Sequence, residues 1–276
     1  MATPIKFTVT GASGYVGGAI AAYLSSRNHP VSRLTRSSGF QLGKAVPPEF
    51  FKYTDVLVHC AYDFSPVHWK DIHRLNVEGS LALMRSAKDG GVKKIIFISS
   101  FSAFENCRSL YGKAKLLAEK GALAMGAAAI RPGVVYGERA GGIYGTLQKA
   151  VSILPVLPLI GKGDQRLFMA HQDDLCALVL RISQNENGFP SLTLAANVRS
   201  VTFVQILKAL CRQKNKEGIF LPLPTGMIWG LLKSAESVGL KPGFRSDSLV
   251  SLTHSNPRPD FDSSKNSGVD FRPFSV

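Results

Sequence analysis

The sequence predicts an α/β fold with a doubly wound parallel sheet, and three observations support this prediction. A glycine-rich turn, Thr10–Gly17, follows an apolar run and precedes an amphipathic segment. Short apolar runs then alternate with helical segments as far as Leu192–Ala195. One of these runs, Lys93–Ile98, is apolar throughout after its two lysines, as a strand with both faces buried must be. Alternating strands and helices form a parallel sheet of the Rossmann type.

The glycine turn comes first in the chain, after a predicted strand at Ile5–Val9. Gly11 permits a tight turn, Gly14 lets backbone N–H groups approach a pyrophosphate, and Gly17 lets the following helix lie close to the sheet. The N-terminus of that helix then faces the anion, which its dipole favours. A turn placed between a strand and a helix therefore predicts a dinucleotide site, although glycines in this pattern also mark ordinary turns.

The second strand, Pro30–Thr35, ends at Arg36. In a dinucleotide fold an acid at this position accepts the 2′-hydroxyl of NAD, whereas an arginine accommodates the 2′-phosphate of NADP. Because the acid is missing and Arg36 is present, the sequence favours NADP, with NAD as the alternative. An exposed loop arginine without a ligand is the other interpretation. A third strand, if one forms, is limited to a short segment at Phe40–Leu42.

The next elements bring polar side chains to the carboxyl edge of the sheet. The strand Asp55–His59 is followed by a long helix over Val67–Lys88, with Asn76 in its middle. The strand Lys93–Ile98 ends in Ser99–Ser102, on the side where open α/β sheets bind ligands.

Tyr111 and Lys115 lie four residues apart in the following helix, so their side chains share one face. A sixth strand at Ala127–Ile130 comes next, and beyond it the alternation of strands and helices loosens. We expect a dinucleotide-binding domain over 1–196, with 138–170 contributing to the substrate pocket, and a small substrate-binding lobe over 197–276.

Two histidines are candidates for general bases, but a structural role is the favoured interpretation of each. His59 ends a buried strand, where a hydrogen-bonded core histidine is the commoner case. His171 is expected to position backbone near Asp174, and the pair Asp173 and Asp174 to cap a helix rather than to act as an acid–base dyad.

The net charge of +14 suggests an anionic partner, such as a phosphate-bearing substrate, nucleic acid or an acidic membrane surface. The basic residues are scattered and show no aromatic–basic repeat, so a nucleic-acid partner is not expected. The longest apolar stretch, Val151–Ile160, is too short to span a membrane. The four cysteines lack metal-ligand spacing, which indicates reduced thiols, a cytoplasmic protein and no metal.

Seven motifs, taken together and in order, resemble the extended short-chain dehydrogenase/reductase family of NAD(P)-dependent nucleotide-sugar epimerases and dehydratases. They are TGASGYVG at 10–17, DVLVHCA at 55–61, NVEGS at 76–80, FISS at 97–100, YGKAK at 111–115, RPGVVYG at 131–137 and HQDDL at 171–175. The chain departs from the family in lacking an acid after the second strand, and its diphosphate-binding arginine, Arg166, is out of register.

The resemblance implies that Ser100, Tyr111 and Lys115 are catalytic, with Ser102 as the alternative serine. It also implies a dinucleotide site. The family usually has an acidic and an apolar residue beside the adenine, and Gln41 and Leu42 occupy those positions here. The residues expected to bind the cofactor are Gly11, Ser13, Gly14, Tyr15, Val16, Gly17, Arg36, Gln41, Leu42, Cys60, Ala61, Tyr62, Asn76, Ser99, Tyr111, Lys115, Pro132, Gly133 and Val134.

The physical chemistry of these three residues supports catalysis. A tyrosine ionises near pH 10, so a base near neutrality needs roughly 4 kcal/mol of preferential phenolate stabilisation. Lys115 and an oxidised nicotinamide supply positive charge for this purpose. Ser100 can hold the reacting oxygen toward the phenol. Tyrosine and lysine as mere surface neighbours on a helix are the alternative.

The expected function is NAD(P)-dependent chemistry at a hydroxyl or keto carbon of a diphosphate-linked sugar, by a 4-epimerase or a 4-ketoreductase. A nucleotide is the expected carrier. The basic charge and the Trp229-containing segment 226–240 leave a lipid carrier, and peripheral membrane contact, as alternatives. A homodimer is one expected assembly. The alternative is that the chain is a non-catalytic relative of these enzymes, which binds a dinucleotide as a structural or redox-sensing element.

Overall fold

The computed structural model describes residues 3–138, 141–185, 189–240 and 243–275. The strands are β1 (Phe7–Thr10), β2 (Val31–Leu34), β3 (Val56–His59), β4 (Lys94–Ile98), β5 (Ala128–Pro132), β6 (Val134–Tyr136), β7 (Val156–Ile160), β8 (Arg166–Leu167), β9 (Met169–His171), β10 (Leu192–Ala195), β11 (Val201–Thr202) and β12 (Ile219–Leu223).

The helices are α1 (Tyr15–Ser26), α2 (Trp69–Ile72), α3 (Gly79–Asp89), α4 (Leu110–Ala124), α5 (Gly142–Ile153), α6 (Gln172–Gln184), α7 (Phe203–Gln213), α8 (Thr225–Ser237), α9 (Ser246–Thr253) and α10 (Asp262–Lys265). A π-helical segment, His73–Glu78, joins α2 to α3, and 3₁₀ turns cover Arg36–Ser38 and Pro48–Phe51.

A six-stranded parallel sheet in the order β10-β5-β4-β3-β1-β2 forms the centre of the described chain. At the carboxyl end of β1, Thr10 lies between Leu34 of β2 and His59 of β3. The strand order reverses between β1 and β3, and open α/β sheets bind their ligands outside the carboxyl ends of the strands at such a reversal. This sheet confirms the predicted fold class.

The strand that the sequence allowed at Phe40–Leu42 does not form within the described residues. The segment is instead a loop that crosses the start of α3, where a Cβ on Gly79 would come within 2.9 Å of the Gly43 Cα. Further along, Pro47 and Pro48 have no N–H group to donate to a neighbouring strand. The sheet therefore ends at β2.

Helices cover both faces of the sheet, as a doubly wound fold requires. On one face α1 packs on β1 and α6 packs on β4, and Ile20 and Leu178 lie in one core with Val9. On the other face α3 and α4 pack on β4, where Met84 and Phe97 share a second core. These two cores fix the sheet between four helices.

A further core lies beside the sheet and joins distant parts of the chain. It contains Tyr144 and Leu159 together with Ile206 and Leu252, so α5 and β7 pack as one unit with α7 and α9. The chain then returns to the sheet, where Phe271 enters the core of α1 and α6. The division into a dinucleotide-binding domain over 1–196 and a substrate-binding lobe over 197–276 stays a prediction.

His59 is a buried core histidine with both ring nitrogens hydrogen-bonded, as the sequence predicted. Its Nδ1 lies 2.7 Å from the Thr10 Oγ1, and its Nε2 lies 2.9 Å from the Ser80 Oγ. Burial, with a smaller effect of the charge on Lys115, lowers the pKa of His59 from 6.5 to about 3. The ring is therefore neutral in the folded chain at neutral pH.

We expect this histidine to make folding sensitive to acid. Between pH 6.5 and about 3 the unfolded chain binds a proton at His59 that the folded chain does not, so stability falls as the pH falls. The contribution approaches about 1.4 kcal/mol per pH unit. In His59→Gln this contribution is gone, and the slope of the unfolding free energy against pH, from urea titrations, should decrease by that amount. An unchanged slope in the variant would contradict the assignment.

Candidate active site

The glycine turn after β1 lies directly against the loop after β3. Gly11 has φ +66°, and a Cβ there would stand 2.9 Å from the Ala61 Cα. The Thr10 hydroxyl accepts the N–H groups of Cys60 and Ala61, each at 3.1 Å. A Cβ on Gly17 would stand 2.5 Å from the Gly11 carbonyl oxygen. Side chains at 11 and 17 would therefore push the three segments apart.

The N-terminus of α1 has the properties of an anion site. Gly14 is its N-cap residue, no side chain caps the helix, and its first turn contains no acidic residue. The first N–H groups of a helix have no partner within it, so those of Tyr15, Val16 and Gly17 suit a phosphate. Ser13 and Gly14 are exposed at this edge. These residues therefore fit the pyrophosphate of a dinucleotide.

Arg36 follows β2 and forms an ion pair with Asp63, which lies in the loop after β3. The distance from the Arg36 Nη2 to the Asp63 Oδ1 is 3.3 Å, and the Arg36 side chain is 75% exposed. Since β1 lies between β2 and β3, the pair crosses the end of β1 beside the glycine turn. A hydrogen bond from the Ser65 N–H and the charge of Arg36 lower the pKa of Asp63, against the effect of burial.

Asn76 holds the same loop in place. Its Oδ1 accepts the Asp63 N–H at 2.7 Å, and its Nδ2 donates to the Asp63 carbonyl at 3.0 Å. Asn76 lies in the π-helical segment, and π-helical turns are frequent at functional sites. Gln41 is exposed, whereas Leu42 is buried.

The serines that follow β4 differ in their contacts. Ser99 is buried, and its Oγ has no hydrogen-bond partner among the described residues. The Ser100 Oγ accepts the Ser102 N–H at 3.1 Å, and the Ser100 side chain lowers the pKa of Tyr111 against the larger effect of burial. The Ser102 carbonyl contacts Gly112 in α4, at a point where a Cβ would collide with it. Of the two candidate serines, Ser100 is the one whose side chain acts on the Tyr111 phenol.

Tyr111 and Lys115 occupy one face of α4, toward the end of β4. Lys115 is 4% exposed, and its Nζ donates to the Ile98 carbonyl at 2.7 Å. Burial lowers the pKa of Lys115 from 10.5 to about 8, although Cys60 and Glu119 oppose the change. Burial raises the pKa of Tyr111, and the Ser100 side chain opposes that rise. Without further positive charge the phenol is protonated at neutral pH.

Aromatic rings from the loop after β3 surround the tyrosine. The ring of Tyr62 lies edge-on to Tyr111 with centroids 4.9 Å apart, and its centroid is 5.4 Å from the Lys115 Nζ. The ring of Phe64 stacks on Tyr111 at 5.8 Å. Arg245 donates to the Phe64 carbonyl at 2.7 Å and so ties this loop to the C-terminal part of the chain.

The remaining predicted contacts, Pro132 to Val134, lie at the carboxyl end of β5. The Val134 N–H donates to the Phe168 carbonyl at 2.8 Å, and a Cβ on Gly133 would collide with that same carbonyl. The Phe101 N–H donates to the Pro132 carbonyl at 3.0 Å. This segment therefore adjoins the loop that carries Ser100.

Asp173 and Asp174, which follow β9, do not cap α6 as predicted. His171 caps α6, because its Nδ1 accepts the Asp173 N–H at 3.2 Å. Asp174 is instead buried in an ion pair with Arg272, whose Nε donates to both carboxylate oxygens, at 3.0 and 3.1 Å. The prediction of an Asp173–Asp174 cap was wrong, because His171 caps the helix and a partner 98 residues away binds Asp174.

Asp247 is the residue that the sequence did not indicate. From the start of α9 its carboxylate accepts the N–H groups of Leu110 at 2.7 Å and Tyr111 at 2.9 Å. Ser109 accepts the Gly112 N–H at 3.0 Å. Together they satisfy the first turn of α4. An acid 136 residues from Tyr111 has no local pattern that could reveal this contact.

Comparison with known proteins identifies the family. A family model described as the NAD dependent epimerase/dehydratase family matches residues 7–193. The chain belongs to this family. A curated relative, the UDP-glucose 4-epimerase of Vibrio cholerae, is 24% identical, and the match covers 82% of this chain and 80% of the relative.

Solved structures share the fold of this epimerase/dehydratase family member. The UDP-glucose 4-epimerase of Thermotoga maritima, determined with UDP-glucose, has a TM-score of 0.67 and 20% identity, over 90% of this chain and 97% of that chain. TunA, an NAD-dependent NDP-hexosamine 5,6-dehydratase of tunicamycin biosynthesis, has a TM-score of 0.67 and 18% identity. The match covers 90% of this chain and 96% of that chain. At such identities the likeness shows the fold alone.

We expect Asp247→Ala to destabilise the start of α4. The variant leaves two N–H groups at a helix N-terminus without their charged acceptor, which should cost about 1–2 kcal/mol of unfolding free energy. Asp173→Ala is the matched control, because it removes an exposed acid from the first turn of α6 and should cost only about 0.5 kcal/mol. Urea unfolding of both variants measures the difference. Equal losses would show that the Asp247 contacts add nothing beyond a helix-dipole effect.

Proposed function

We propose that the chain is an NAD(P)-dependent enzyme that acts at a hydroxyl or keto carbon of a sugar linked to a nucleoside diphosphate. The observation that carries this proposal is that Ser100, Tyr111 and Lys115 meet at the sheet edge that also holds the glycine turn, where the Ser100 side chain acts on the Tyr111 phenol and Lys115 donates to the end of β4. Membership of the epimerase/dehydratase family and the relation to a UDP-glucose 4-epimerase support the substrate class.

The dinucleotide has a site built from elements on both sides of β1. The pyrophosphate would lie at the N-terminus of α1, and the adenosine ribose would approach Arg36. Ser99 provides an unpartnered buried hydroxyl farther along the same edge, beside Ser100. When bound, the nicotinamide supplies the hydride transfer. The chain has to bind and orient the two molecules and to move a proton.

Tyr111 is the proposed proton-transfer group, with its phenol oxygen taking or giving the substrate proton. Because burial raises its pKa, ionisation depends on nearby positive charge. Lys115, with a pKa of about 8, is largely protonated at pH 7 and lies on the same face of α4. Ser100 holds the reacting oxygen by a hydrogen bond and so fixes it against Tyr111. Ser100, rather than Ser102, has this role in the proposal.

The proposed reaction is that of a reductase using NADP, and a 4-epimerase with NAD is the alternative. The two share their catalytic residues and differ in whether the cofactor leaves after each turnover. Arg36 after β2, in place of an acid, supports NADP. A reductase exchanges its cofactor in every cycle, whereas an epimerase returns the same hydride to its substrate.

Tyr111→Phe should abolish turnover and leave dinucleotide affinity within about twofold, because it removes the proton-transfer group but not the glycine turn. Turnover is measured on a panel of UDP-sugars, from nicotinamide absorbance and from epimer formation. Tyr144→Phe is the control, since it removes a buried phenol hydroxyl from the core beside the sheet. Full activity in Tyr111→Phe would refute the proton-transfer role. A wild-type chain that binds a dinucleotide and turns over no substrate would favour the non-catalytic relative.

Two variants of the ion pair after β2 and β3 should change NADPH affinity in opposite directions. Arg36→Ala removes a charge-assisted bond to the 2′-phosphate, which should weaken NADPH by about 1–2 kcal/mol, roughly 5- to 30-fold. Asp63→Asn frees Arg36 from its present partner and should strengthen NADPH. Affinity for NADH, which lacks the phosphate, should change in neither. Calorimetric titration of both cofactors checks this, and equal losses for NADH and NADPH in Arg36→Ala would refute the NADP preference.

A further inference from the structure

Exposed large apolar side chains are concentrated in the C-terminal half of the described chain. They occur just before and within β7, in β12, and in and just after α8. Scattered single apolar residues on a surface are normal, but a group of them marks a site of contact. The members of this group, which we call the apolar surface, are Ile153, Leu154, Val156, Ile219, Leu221, Met227, Trp229, Leu231, Val238 and Leu240.

The parallel ribbon of β7 and β12 contributes one part of this surface. Val156 pairs with Ile219, and both are exposed. The next register pair, Leu157 with Phe220, points to the opposite face and packs in the core shared with α5 and α7. The ribbon therefore has one buried face and one exposed face that is equally apolar.

Helix α8 contributes the other part, and like the ribbon it has apolar side chains on its outer side as well as its inner side. Ile228 and Leu232 face inward and pack on the core that also holds Leu157. Met227 and Leu231, one turn apart on the outer side, are 54% and 64% exposed. Only Pro224 separates the end of β12 from the start of α8, so the two parts of the apolar surface adjoin at that turn. An amphipathic surface helix normally presents polar residues outward.

Basic residues border the apolar surface. Arg212, Lys214 and Lys216 are exposed between the end of α7 and the start of β12, with one exposed acid, Glu217, beside them. Lys233 is exposed on α8. The acid nearest to it, Glu236, is almost buried and accepts the N–H and hydroxyl of Ser246. The charge that faces solvent around α8 and β12 is therefore mainly positive.

We propose that the apolar surface binds the face of an anionic lipid bilayer. Apolar side chains that include a tryptophan insert at the boundary of head groups and acyl chains, and bordering lysines and arginines pair with lipid phosphates. A second copy of the chain is the poorer partner, because each copy carries a net charge of +14. No helix of the described residues is long and apolar enough to cross a membrane, so the contact is peripheral.

The test is cosedimentation of the full chain with vesicles. Vesicles of phosphatidylcholine and phosphatidylglycerol should bind the chain, vesicles of phosphatidylcholine alone should bind it about tenfold more weakly, and high salt should release it. The double substitution Trp229→Ser and Leu231→Ser should reduce binding by about tenfold or more. Tyr53→Ser is the matched control, because Tyr53 is an exposed aromatic residue beside Lys6 and Lys52 but lies outside the apolar surface.

A second pair of variants separates local charge from total charge. Lys214→Glu with Lys233→Glu should abolish binding to the anionic vesicles. Lys44→Glu with Lys52→Glu lowers the net charge by the same amount at another place and should leave most of the binding. Equal loss in both pairs would mean that only overall charge attracts the chain, and the proposal would fail.

Two further outcomes would also overturn the proposal. One is that wild-type chain stays in the supernatant with both kinds of vesicle. The other is that light scattering without lipid shows a dimer that Trp229→Ser with Leu231→Ser dissociates, since the apolar surface would then be covered by a second copy. Neither outcome would contradict the proposed reaction, because turnover is measured separately on soluble substrates.

Discussion

The close contact between the glycine turn and its neighbours is the constraint on which the candidate site depends. Three backbone segments meet at the end of β1, and Gly11 and Gly17 leave no side chain between them. The hydroxyl of Thr10 then joins the turn to the loop after β3 and to His59. Because these segments cannot separate, the N-terminus of α1 stays exposed at the sheet edge. The candidate anion site consists of backbone N–H groups that this packing leaves exposed, and no side chain caps them.

The second fixed part of the site is α4, which is held from three directions. Asp247 reaches its first turn from α9, the Ser102 carbonyl lies on Gly112, and Lys115 donates to the end of β4. Tyr111 therefore has its position set by the sheet and by the C-terminal part of the chain together. Glu236 and Arg245 extend this connection to α8, since Glu236 accepts the N–H of Ser246. The apolar surface is linked to the candidate site through these contacts.

Burial controls the ionisation of the groups around the site, and in each case it favours the neutral form. It lowers the pKa of His59 and Lys115 and raises that of Tyr111. The consequences differ with position. A neutral histidine completes a core hydrogen-bond network, whereas a protonated tyrosine next to a lysine is a proton donor that further positive charge can convert to a base.

The sequence by itself determined the sheet strands, the glycine turn and the spacing of Tyr111 and Lys115. The boundaries of the six sheet strands agree with the predicted ones within two residues, because periodicity and turn chemistry act over a few neighbouring residues. The predicted helix over Val67–Lys88 is instead divided into α2, a π-helical segment and α3. Only the tertiary structure decided that Asp247 binds the first turn of α4, that Asp63 pairs with Arg36, and which apolar faces stay uncovered. These contacts join residues far apart in the chain, and their partners come together only when the sheet edge and the C-terminal segments pack against each other.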